Sequence, residues 1–403
     1  MSRCIACPAH RAESGLSLVE LLVAMAIALV LTLAVANVMT HNEGSKRTTT
    51  SVNDANQTGA YVTYVLDRAI RSAGSGYAQR WAEVFGCRMN VSRDNTQVLP
   101  RLKPFPAPFQ DVPAQLGVAP VLIAKGADET ASDALIVMTG SGGIGETGQP
   151  VVAGTITADR FSMHNTLGWA KNDLLLVAQA NVGCMLQQVH GSFAGPPETT
   201  LTLAGRYYSA AGATVGLATF AAGSDTTYAI KLGNADDNNP PLFQMFGVGA
   251  NATLVSYDLL QIAADDATVP LAEGVVQIRA LYGVDTDDDN RVDQWKDPGA
   301  GDYEIHTLLN GSAASLTNLK NIVAVRIGLI LRSSLIESDR FADPSARRLG
   351  DDDRRFVAPK SVNLFEDLTG EGLKYTRELS DDERRQRHRA VEVTIPLRNM
   401  LTI

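Results

Sequence analysis

Residues 16–36 read LSLVELLVAMAIALVLTLAVA, an apolar run with a single charge, Glu20. As a helix at ~1.5 Å per residue it would rise about 32 Å, enough to cross a hydrocarbon core. Before it stands a polar leader, MSRCIACPAHRAESG, whose Arg3 and Arg11 predict a cytoplasmic N-terminus and export of the chain beyond the run. The run admits three readings. As a secretory signal peptide it would be cut at Ala34-Val35-Ala36, and as an ordinary anchor it would carry Glu20 near the cytoplasmic interface. In the third the carboxylate has a purpose, because a charge inside a membrane helix costs on the order of 3 kcal/mol and a disposable segment has no reason to bear it.

The third reading rests on Gly15-Leu16-Ser17-Leu18-Val19-Glu20, with glycine before the apolar run and glutamate as its fifth residue. This resembles the class III signal of type IV prepilins and pseudopilins. The resemblance implies that a prepilin peptidase of the inner membrane cuts after Gly15 and methylates the new N-terminus, Leu16. Leucine replaces the phenylalanine usual in the family. A buried carboxylate is best stabilised by a cation held out of water, so Glu20 is expected to pair with the freed amine of a neighbouring pilin.

Further on, Val52, Ala55, Gly59, Val62, Leu66, Ala69 and Ala73 recur at spacings of three and four, the apolar stripe of an amphipathic helix. Gly74 and Gly76 are expected to end it. A helix over 16–73 would be about 87 Å long. A free coiled coil is the alternative, a weak one with Gly and Ala at its seam. After residue 76 the chain breaks into short runs. Strands are expected at 134–139, 174–179, 185–189, 226–232, 253–262, 275–284, 322–332 and 390–397, with Val391, Val393, Ile395 and Leu397 on one face. Residues 346–358 and 380–389, dense in charge, read as solvated loop or irregular helix. The fold class is therefore α+β, a long N-terminal helix packed on a β-rich antiparallel domain. Its parts are a leader (1–15), a membrane and filament-core helix (16–38), an amphipathic continuation (39–76) and a periplasmic globular domain (77–403).

This order of parts resembles the PilW family of type IV pilus minor pilins. The residues that carry the likeness are the N-terminal motif, Tyr282-Gly-Val-Asp285 with its acidic continuation, and the closing Val393-Thr-Ile-Pro-Leu-Arg-Asn399. Pseudopilins of the J type look similar at the N-terminus and are usually much shorter. The resemblance implies a structural protein without catalytic activity, whose partners are the prepilin peptidase, the major pilin, other minor pilins and the inner membrane, and which ends in a surface pilus near its tip. A type II secretion pseudopilin and a membrane-anchored periplasmic binding module or enzyme are the alternatives.

Composition agrees with that placement. The 403 residues are 45% hydrophobic and 20% charged, a globular balance, and the net charge of −9 disfavours bulk binding to nucleic acid. Loss of the leader would leave Cys87 and Cys184 as the only thiols, because Cys4 and Cys7 go with it. In an oxidising periplasm two cysteines favour one disulfide, with two buried free thiols as the alternative. Cys4-x-x-Cys7 has redox or zinc spacing but no second pair.

The segment 285–293, DTDDDNRVD, follows the spacing of a calcium loop, with Asp285, Asp287, Asp289, Arg291 and Asp293 as candidate ligand positions. Asn290 replaces the usual glycine and Lys296 the bidentate glutamate, so Asp293 or Asp297 would have to serve. An acidic turn between strands is the alternative. Gly140-Ser-Gly142-Gly-Ile-Gly145 formally matches a dinucleotide fingerprint, yet no helix is expected after it, and a hairpin or interstrand loop is the better reading. Histidines 41, 164, 190, 306 and 388 form no ligand spacing or triad.

Overall fold

The computed structural model describes residues 17–140, 147–236, 239–336, 359–370 and 372–401. Its first element is the helix Leu18–Ser72. Ser17 caps it: the Ser17 hydroxyl accepts from the Glu20 amide at 3.3 Å and its carbonyl from the Leu21 amide at 3.1 Å. The chain divides into two compact units, Met1–Asn53 and Asp54–Ile403, and the helix contributes to both. In the first unit Leu18–Met39 is long and apolar enough to span a membrane and none of it is buried.

In the second unit the helix residues Val62, Leu66, Ile70 and Ala73 are fully buried. Burial of each larger aliphatic side chain stabilises by about 1.5–3 kcal/mol. The expected stripe is corrected at two points: Val52 is exposed, and Ile70 rather than Ala69 takes the innermost place. Gly59 allows close approach, since a Cβ there would lie 2.7 Å from Leu331 Cδ1. Gly74 (φ +80°) and Gly76 (φ +87°) turn the chain through the left-handed region and end the helix as expected. The carboxamide of Asn399, far away in sequence, donates to the carbonyls of Ser72 (3.2 Å) and Ala73 (2.9 Å), groups that the helix itself leaves unpaired.

Three large sheets, with two two-stranded ones beside them among the described residues, complete the α+β fold. The first, in spatial order, holds Thr96–Leu99, Met89–Arg93, Gly183–Gln188, Asp173–Gln179, Tyr228–Asn234 and Gln149–Pro150. Its pairings are antiparallel apart from a two-residue parallel match, Met89 with Cys184 and Asn90 with Met185. The second, fully antiparallel, runs Val269–Glu273, Thr253–Asp258, Leu242–Gly249, Ala134–Thr139 and Val121–Ala124. The third, also antiparallel, runs Gln294–Lys296, Val275–Val284, Ile322–Arg332 and His388–Pro396.

One core joins the buried helix residues to all three sheets, through residues such as Leu176, Phe243 and Val325. Alternation on Asp173–Gln179 divides its side chains: Leu174, Leu176 and Ala178 enter this core, whereas Leu175 and Val177 enter a second one with Phe161, Trp169 and Phe220. A third cluster covers the outer face of the third sheet. There Leu281 and Ile330 meet Leu364 and Phe365, beside the hairpin Ser361–Leu364 and Tyr375–Glu378. Val391, Val393, Ile395 and Leu397 all pack against the main core, the one-faced arrangement expected of them.

Several expected strands shift by one or two residues, as 226–232 does to Tyr228–Asn234, and two expected elements change more. The strand begun at Thr253 ends at Asp258, not at 262, because the Asp258 carboxylate accepts from the Leu260 amide (2.9 Å) and turns the chain. Residues 380–389 are only partly irregular. A short 3-10 turn, Glu383–Arg385, precedes a strand that starts at His388, where Ser333 and Arg387 extend the ladder. Residues 346–358 lie outside the described residues.

Candidate functional site

At the N-terminal end Gly15 and Leu16, like Cys4 and Cys7, lie outside the described residues. Glu20 is described and stands in the first turn of the helix. Ser17-Leu-Val-Glu20 has the S-x-x-E capping pattern, a second signal carried by the same residues as the prepilin-like motif. The Ser17 cap satisfies the Glu20 backbone amide, and the negative side chain stands where the helix dipole favours it. Beyond it every residue to Met39 is exposed, Leu18 by 76% and Leu29 by 70%, so in this chain alone the apolar run has nothing to bury it.

The acidic loop comes directly after Val275–Val284. Asp285 is buried, and its carboxylate accepts from the amides of Asp287 (3.1 Å), Asp288 (2.8 Å) and Asn290 (2.7 Å). Asp288 (φ +62°) and Asn290 (φ +65°) take the left-handed conformation that folds the loop back on Asp285. The carboxylates of Asp285, Asp287 and Asp289 come within 4.8 Å of one another, the single such group of three or more His, Cys, Asp or Glu found among the described residues. Chiefly the charge on Asp293, then desolvation and Asp289, holds the Asp287 carboxyl above its usual range. The other candidate positions do not join them. Asp293 turns to the Thr286 amide and hydroxyl, both 2.7 Å away, which hold its carboxyl below the usual range. Arg291 brings its guanidinium to 3.9 Å from Asp289, and Asp297 pairs with Lys125 at 2.7 Å.

Cys87 and Cys184 form a disulfide, with 5.7 Å between their Cα atoms and a sequence separation of 97. Asn90 reinforces the same junction, its amide donating to the Cys184 carbonyl (3.2 Å). After Gly140, residues 141–146 of the glycine-rich segment lie outside the described residues. The chain continues in the two-residue strand Gln149–Pro150, without the helix that a dinucleotide site requires.

Sequence reasoning does not find the buried ion pair of Arg279 and Asp133, 2.8 Å apart. Arg279 also donates to the carbonyls of Asp128 and Glu129 and stacks 4.3 Å over the Tyr375 ring, joining strand, loop and hairpin. Its role is structural, and a lone arginine within an apolar strand gives no hint of partners so distant in sequence.

An apolar helix with a capped glutamate in its first turn, continued into an antiparallel β domain, has the architecture of a pilin-like, membrane-anchored protein. Two family models match the chain. Residues 10–36 match the prokaryotic N-terminal methylation motif, and residues 244–399 match the family described as type IV pilus-assembly protein W. Together they support a pilin-like protein related to type IV pili. No curated protein and no solved structure matches the chain. The residues behind the family likeness have structural work in this fold. Tyr282 is fully buried, its hydroxyl accepts from the Ile123 amide at 2.6 Å, and burial pushes the phenol well above its usual range. Asn399 closes the helix end.

Proposed function

We propose that this chain is a minor pilin that primes or joins a type IV pilus near its tip. Prepilin peptidase cuts between Gly15 and Leu16 and methylates Leu16. Before assembly the helix holds the protein in the inner membrane, with its N-terminus cytoplasmic and its globular part periplasmic. Assembly then transfers the apolar run from lipid to a filament core formed with the major pilin and other minor pilins, and Glu20 pairs with the amine of a neighbour. No catalysis is assigned to the chain itself. The observation that most supports this reading is the fully exposed stretch Leu18–Met39, an apolar surface that needs lipid or other helices, lying within and just beyond the methylation-motif match.

A secretion-system pseudopilin shares the N-terminal motif and is the second reading. Deletion of the gene separates the two. Loss of surface pili with protein secretion intact is expected, and loss of secretion with normal pili would favour the pseudopilin.

Within the same proposal the acidic loop is a calcium loop, with Asp285, Asp287 and Asp289 as its ligands. Neighbouring carboxylates, Asp293 chiefly and Asp289 after desolvation, raise the Asp287 carboxyl, and a divalent cation held by Asp285, Asp287 and Asp289 would relieve that repulsion. Millimolar calcium should raise the melting temperature of the wild type and leave that of Asp287→Asn where it is. An unchanged wild-type melting temperature would leave an acidic turn.

A further inference from the structure

The Cys87–Cys184 bond borders a cavity of about 450 Å³, formed by residues 82–88, the turn at 179–183 and residues 309–316. The two cysteines differ in their access to it. Cys87 is half-buried and lines the cavity, whereas Cys184 is fully buried, does not line it, and belongs to the main core opposite Met89. Thiol–disulfide exchange needs a thiolate to reach a disulfide sulfur in line with the bond that breaks, so access decides which sulfur is attacked. Arg88, exposed on the cavity wall, supplies positive charge to an approaching anion, and Glu83 on the same wall partly offsets it.

We propose that this cavity is a thiol-exchange site with fixed direction: external thiolates attack Cys87, and Cys184 is the sulfur released. The incoming thiolate forms a new S–S bond to Cys87 as the Cys87–Cys184 bond breaks, and its electron pair leaves on Cys184, which takes up a proton. Oxidation during export runs the same path backwards: a mixed disulfide on Cys87 is closed by the Cys184 thiolate, which expels the carrier thiol. The ligand class is a small thiol such as glutathione, or the exposed thiol of an oxidoreductase presented on a narrow loop. Cys184 leaves into an apolar core that gives little solvation to a thiolate, so exchange in the folded protein is slow and the bond persists.

The test uses the full-length protein with Cys4→Ser and Cys7→Ser, in detergent, and the exchange is run without denaturant. After incubation with reduced glutathione, excess N-ethylmaleimide consumes the free glutathione, urea added with the maleimide still present exposes a released Cys184 to it, and peptide mass spectrometry locates the adducts. Glutathione on Cys87 with maleimide on Cys184 is expected, by about tenfold or more over the reverse. Equal labelling, the reverse pattern, or exchange seen only after urea is added would overturn the proposal. Single-thiol variants give an independent reading: with fold retained by circular dichroism, Cys184→Ser should leave Cys87 reactive to maleimide, and Cys87→Ser should leave Cys184 protected until urea unfolds the chain. A protected Cys87 would count against the site.

Discussion

Replacing Glu20 by Val is expected to leave the protein in the membrane and remove it from the pilus. The substitution makes the apolar run more apolar, and on insertion scales the carboxylate it removes is costly by about 3 kcal/mol, so anchoring should be equal or better. What the variant lacks is the one anion of the run, placed in the first helical turn behind the Ser17 cap. In the proposed assembly that anion meets a neighbour's N-terminal amine in a medium of low dielectric. There an unpaired charge on either partner is strongly disfavoured, by about 3–5 kcal/mol when one member of a pair is lost. At that size incorporation falls by two orders of magnitude or more. Fractionation should find Glu20→Val in the inner membrane at wild-type level and absent from sheared pili; wild-type incorporation would remove Glu20 from the assembly step. Glu20→Asp gives a graded control, because the charge remains on a shorter arm.

Loss of the disulfide should have the largest effect on stability. Its closed loop covers nearly a quarter of the chain, and a cross-link of that span constrains the unfolded state by up to about 4 kcal/mol. The native structure gives it a further task. The parallel match of Met89–Arg93 to Gly183–Gln188 extends over only two residue pairs, and the disulfide fastens it together with the Asn90 side-chain amide and the Cys184 amide, which donates to the Arg88 carbonyl (3.2 Å). The double variant Cys87→Ser, Cys184→Ser should lose about 2–4 kcal/mol of unfolding free energy in urea titrations, and proteolysis should reach residues 82–93 earlier. Equal stability of variant and wild type would show that Asn90 and the surrounding core suffice.

Much of this architecture is legible in the sequence, and for definite reasons. The strands Ala134–Thr139, Val275–Val284 and Ile322–Arg332 appear with their expected bounds because apolar residues dominate each, with Gln277, Arg279 and Arg326 as isolated interior exceptions, and each is buried along most of its length. Val121–Ala124 escapes a sequence reading because four residues carry no period, and Leu242–Gly249 because Gln244 and two glycines interrupt its apolar pattern. The helix stripe differs by one position at Ile70, since a sequence pattern cannot say which of two adjacent apolar residues lies at the centre of the contact. The acidic spacing correctly marks where carboxylates converge, but it cannot show Asp293 turning to Thr286 or Asp297 to Lys125. The cap that Asn399 places on Ser72 and Ala73 has no local signal at all, because it joins residues 327 and 326 positions apart in sequence. Ser17 is the reverse case, a local capping pattern hidden by the motif around it.

All of the proposed function begins with one processing event. Mass spectrometry of the mature protein, isolated from sheared pili and from membranes, tests it directly. The expected result is a chain that begins at Leu16 with a single methyl group on its α-amine. A chain beginning at Asn37, as a secretory signal peptidase would leave it, or an unmethylated chain that keeps its leader, would contradict the proposed function at its root.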